Sequence, residues 1–167
     1  MRVAEMAMRY AIMNETLTIA LAHDDLCVLT FFQSLLAEMG YVVCVTARSG
    51  RDLIDAAAGS HPALIMVRQE LPDMPGLAAA EVVAGERAIP VIVLLNVQNV
   101  PAAGMIESPL VAAIITEPVK RADLISTVPL AIERSRQQQQ LRAEIQQISA
   151  SLENAPPPTA TEPRKGD

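Results

Sequence analysis

Three short stretches carry the side chains that could do chemistry. His23-Asp24-Asp25 follows the first apolar run, Arg68 ends the third and leads into the turn Leu71-Pro-Asp-Met-Pro-Gly76, and Thr116-Glu117-Pro118 closes the last. A histidine beside two carboxylates offers the donors of a divalent-metal site or of a pH-sensitive hydrogen-bonding group. No third protein ligand stands at a suggestive spacing, and Arg68 would repel a cation, so no metal is expected. His23 is then a partly exposed hydrogen-bonding group. A guanidinium has no nucleophilic oxygen and stays cationic at any relevant pH, so Arg68 excludes nucleophilic chemistry at its position. Asp73 should satisfy backbone donors within its turn. His61, before Pro62, is a loop residue with no chemistry to assign. The chain has no Gly-rich phosphate loop, zinc-type spacing or nucleophile elbow.

Composition narrows the class. The 167 residues are 51% apolar and 19% charged, enough for one buried core plus a tail or an extended helix. Phe31, Phe32, Tyr10 and Tyr41 are the whole aromatic set, so Ala, Val, Ile, Leu and Met must build that core. A net charge of −6 argues against a general phosphate-backbone binder, while leaving room for a local basic patch. Cys27 and Cys44 lack CxxC spacing and read as buried small hydrophobes. No apolar run approaches the roughly 20 residues that span a bilayer. The start is interrupted by Glu5 and Arg9, unlike a signal peptide, and a reducing cytoplasm is expected. Residues 1–16 read as a disordered extension, with Met13 an alternative start.

Short apolar runs alternate with amphipathic stretches through the middle of the chain, the pattern of a parallel sheet covered by helices on both faces. Strands are predicted at 18–22, 41–45, 63–67, 90–94 and 111–115. A helix over 25–39 should bury Leu29, Phe32, Leu35 and Leu36 and stop at Gly40. A second runs from the cap Ser49 to 58, a third over 77–84 to Gly85, and residues 100–106 hold only a short one. Five such units predict a flavodoxin-like, doubly wound five-stranded parallel sheet over 17–132, with the carboxyl ends of its strands converging on one site.

The last helix, starting near Arg121, is too long for that domain. Leu124, Val128 and Ile132 should pack on the sheet, with Pro129 bending or resetting the helix. Over 133–153, Leu141, Ile145, Ile148 and Leu152 are spaced four, three and four, a heptad-type seam. A lone helix of this length is marginal in water. The seam therefore predicts a two-stranded coiled coil between subunits, with folding back or fraying as the alternative. Residues 154–167 are Pro-rich and polar and should be disordered.

Residues 18–132 resemble the receiver domains of response regulators. The most specific matches are the Leu71–Gly76 turn and Thr116-Glu117-Pro118, which is similar to that family's Thr-Lys-Pro. In receivers an acidic pair after the first strand holds Mg²⁺ and an aspartate after the third is phosphorylated. A hydroxyl after the fourth and a lysine after the fifth contact the phosphoryl group. A gapless alignment puts the acidic pair on His23 and Asp24, with Asp25 extra; a one-residue gap would put it on Asp24 and Asp25. The phosphoacceptor position is Arg68, the hydroxyl position Leu95, the lysine position Glu117, and the rotating aromatic Ile114. Every element of the switch is altered. Arg68 and Glu117 also reverse the family's signs, so an ion pair of Arg68 with Glu117 or Asp24 is expected to lock the pocket.

The helix from Pro118 onward also looks like the linker of ANTAR-type antiterminators, whose RNA-binding module would have to follow Leu152, where the chain turns Pro-rich. Together these features predict a non-enzymatic, cofactor-free pseudo-receiver that acts without phosphorylation. It would belong to two-component-type (phosphorelay) signalling or transcription regulation, as a homodimer that binds a protein partner. Two other readings stay open: an atypical response regulator phosphorylated on Asp24, Asp25 or Asp73, and an RNA-associated regulator using Arg134, Arg136 and Arg142.

Overall fold

The computed structural model describes residues 17–101 and 103–158; the expectations for 1–16, for Met13 and for the tail beyond 158 lie outside them. Five parallel strands form one sheet in the order β2-β1-β3-β4-β5: β1 Thr18–Ala22, β2 Val42–Ala47, β3 Leu64–Arg68, β4 Val91–Asn96 and β5 Val111–Glu117. The connecting helices are α1 Leu26–Glu38, α2 Gly50–Ala57, α3 Gly76–Ala84, the short α4 Ala103–Glu107, and α5 Arg121–Glu153.

Strand alternation splits the core in two. Ala20, Ala22, Ile65, Val67, Val91 and Val93 face α2 and α3, while Ile19, Leu21, Leu64, Met66, Ile92 and Leu94 face α1 and α5. The three central strands are apolar on both faces because helices cover both. Asp25 starts α1 by accepting from the Cys27 and Val28 amides, and Gly40, with φ of 86°, follows its end.

Both cysteines are exposed, which corrects the expectation of burial. Cys44 is the extra residue of a bulge in edge strand β2: Ile19 pairs with Val43 and Ala20 with Val45, leaving Cys44 unpaired. Cys27 falls off the α1 face that carries Leu29, Phe32 and Leu36. The last helix runs without interruption through Pro129, at the cost of one helical hydrogen bond. Its docked portion reaches past Ile132, because Ser135 Oγ and Gln139 Nε2 both donate to the Ala88 carbonyl, at 3.5 and 2.9 Å. No described helix is long and apolar enough to cross a membrane.

Candidate functional site

The site lies where the carboxyl ends of β1, β3, β4 and β5 meet. β1 runs straight into His23, whose amide donates to the Ala47 carbonyl of β2 at 3.0 Å. The ring is 3% exposed, so the expectation of a partly exposed histidine is corrected: the neighbouring strand ends close over it. Its Nδ1 accepts from the Asp25 amide at 2.9 Å. In the neutral ring the proton therefore sits on Nε2, which donates to Glu117 Oε1 at 2.6 Å.

Arg68, the last residue of β3, completes a closed ring of four side chains. Its Nη1 donates to Asp24 Oδ1, and its Nε lies 3.7 Å from Glu117 Oε2. The ring closes there by proximity alone: Asp24 Oδ1 is 3.4 Å from His23 Nδ1, and in that tautomer both atoms are acceptors. Burial by itself would raise the Asp24 carboxyl, but the hydrogen bond and charge of Arg68 outweigh it and hold the group below the usual carboxylate range. The same bond pushes the Arg68 guanidinium upward, against burial. With Arg68 25% and Asp24 37% exposed, solvent screens the pair, and about 1 kcal/mol or less is its stabilising contribution.

His23, Asp24, Arg68 and Glu117 thus stand together, whereas the other residues read from the sequence do other work. The Asp25 carboxylate caps α1 and reaches the site only through its amide. Leu95 is buried in the core on the α2 and α3 side, 6% exposed. Ile114 sits two-thirds covered on edge strand β5. Asp73 also reaches beyond its own turn: it accepts from the Gly50 and Arg51 amides at 2.7 and 2.9 Å, at the start of α2. Those two bonds hold its carboxyl below the usual range. Among the described residues no group of three or more His, Cys, Asp or Glu is arranged to hold a metal ion.

Two residues escaped the sequence. Arg48 donates from Nη2 and Nε to the Asp24 carbonyl, at 3.1 and 3.3 Å, bracing the backbone of the site from just past β2. Gln69 donates to the Val100 carbonyl at 3.4 Å and so tethers the loop after β4. Neither lies in a motif, and both depend on loops brought together only by the fold.

No known family's sequence profile matches the chain. It is 25% identical over 135 residues to the transcriptional regulatory protein PdtaR of Mycobacterium tuberculosis, a match covering 81% of the chain and 66% of PdtaR. A CheY-like receiver domain from Methanospirillum hungatei superposes with a TM-score of 0.65 at 19% identity, covering 74% of the chain and 99% of that domain. A structure carrying a trimeric coiled-coil segment of yeast Spc42, fused to another protein, superposes at 0.66 with 21% identity, covering 83% and 93%. The expected resemblance holds at the level of fold: this is a receiver fold carrying a long carboxyl-terminal helix.

Proposed function

We propose that this receiver fold serves as a phosphorylation-independent pseudo-receiver, a non-enzymatic cytoplasmic module that regulates by dimerising and binding a protein partner. One observation carries the reading: the position that accepts phosphate in receivers is Arg68, and its guanidinium is engaged by Asp24 and Glu117. Glu117 stands where receivers have a lysine, and it is held by both Arg68 and His23. Leu95 offers no hydroxyl to a phosphoryl oxygen. The cation and both anions of the pocket are thereby engaged with one another.

The output would pass through α5. Leu141, Ile145, Ile148 and Leu152 are 58, 55, 61 and 71% exposed, an apolar seam that a second copy would cover as a coiled coil. The name of the relative PdtaR favours transcription as the regulated process. Intact-mass measurement after incubation with acetyl phosphate and Mg²⁺ tests the pocket. The reading expects no added phosphoryl group; an acid-labile adduct on Asp24, Asp25 or Asp73 would replace it with an atypical response regulator.

A further inference from the structure

Two clefts open at the amino end of the sheet, on either side of α5 where that helix leaves the domain. One, of about 100 Å³, lies between α5 and the segments 88–90 and 109–112 that lead into β4 and β5. The other, of about 220 Å³, is lined by Arg87 and Arg136 together with Leu17, Pro62 and Ile132. Ser135 and Gln139, tied to Ala88, form the wall between them. Four arginines line the pair and no aspartate or glutamate does, in a chain whose net charge is −6.

The smaller cleft holds the available donors. Arg87 is engaged by His61 and the Val83 carbonyl. Arg134, Gln138 and Arg142 recur at every fourth position of α5, so they share the face that lines the smaller cleft. Arg68 and Arg121 each meet a carboxylate, but among the described residues neither Arg134 nor Arg142 does. Two uncompensated guanidinium groups beside one cleft create a local positive field in an acidic protein.

We propose that this cleft is a binding site for a phosphate group. Pockets that enclose a whole metabolite run to about 300–1,000 Å³, so this one takes a single small anion. One arginine fork suffices for a carboxylate, whereas a tetrahedral phosphate presents oxygens enough for two forks at once. The site lies at the opposite end of the strands from Arg68 and is independent of the pocket there. A phosphate held in it would join the helix, through Arg134 and Arg142, to the lead-ins of β4 and β5, around the start of the seam at Leu141.

The test titrates the full chain with inorganic phosphate against chloride at matched ionic strength, following the amide resonances of Leu110, Val111, Ser135 and Gln139. Saturable shifts at these residues, and none at Asp24, Arg68 or Glu117, are expected. Arg134→Gln or Arg142→Gln should each weaken binding about tenfold, the loss expected from one charge-assisted contact. Arg51→Gln, remote from the cleft, should leave it unchanged. Shifts that never saturate, saturation indifferent to both cleft variants, or acetate binding as tightly as phosphate would each overturn the proposal. A 5′-phosphorylated oligoribonucleotide, compared with its dephosphorylated form, distinguishes a nucleic-acid end from a free phosphate as the source. Tighter binding than inorganic phosphate, lost on dephosphorylation, supports the former; parity with inorganic phosphate supports the latter.

Discussion

Replacing Arg68 by aspartate would set three carboxylates, with Asp24 and Glu117, around one buried histidine. Exchanging the two signs in the double variant Arg68→Asp, Glu117→Lys would return a cation to the ring. The two substitutions should therefore couple, the double variant being more stable in urea than the sum of the single losses by about 1 kcal/mol; additive losses would mean the ring is not a unit. Asp24 gives the ring a pH signature. Its carboxyl is held below the usual value, so the stabilisation is complete above the unfolded value of about 3.9 and is lost as pH falls through the lower folded one. Asp73 is shifted the same way, so the diagnostic is a difference. The gap between wild-type and Asp24→Asn urea midpoints should close as pH drops below about 4. The sequence disclosed that Arg68 and Glu117 carry opposite charges after two of the strands, because type and order are written in it. It did not disclose that His23 is buried or that Arg48 braces Asp24, since both follow from how β2 and β5 flank β1 and β4 in space.

The elements place these side chains through close backbone packing. Gly76, at the start of α3, donates to the Gln69 carbonyl at 2.7 Å, and a Cβ there would run into the Arg68 carbonyl oxygen and Val67 Cγ2. Gly76→Ala should therefore cost about 2 kcal/mol or more in a denaturant melt and disturb the Arg68 end of β3. A substitution without measurable cost would show that the turn can move away. Most elements could be read from apolar periodicity and caps: β1 lies at 18–22 as expected, and Ser49 and Gly85 bound their helices. The strands carrying the site ran further than their apolar runs. β4 and β5 extend to Asn96 and Glu117, polar residues that stay in register because they pair with each other at the sheet's end. The bulge that exposes Cys44 left no sequence signal, since Val, Cys and Thr all suit a strand.

For the whole molecule, the unresolved balance is a helix that ends in an uncovered seam. The turns up to Gln139 are held to the domain through Ala88, and the seam starts two residues later at Leu141. An isolated helix of that length is marginal in water, so the proposed coiled coil with a second copy would cover the stripe, where a lone helix would fray or fold back. The pocket thus lies at one end of the sheet, and the proposed assembly would form beyond the other. Sedimentation equilibrium of the full chain and of an Ile145→Asp, Ile148→Asp variant, each with and without acetyl phosphate and Mg²⁺, tests both at once. The account predicts a dimer whose dissociation constant does not change with the phosphodonor, and a monomeric variant. A phosphodonor-dependent shift, or a full chain that stays monomeric, would contradict it.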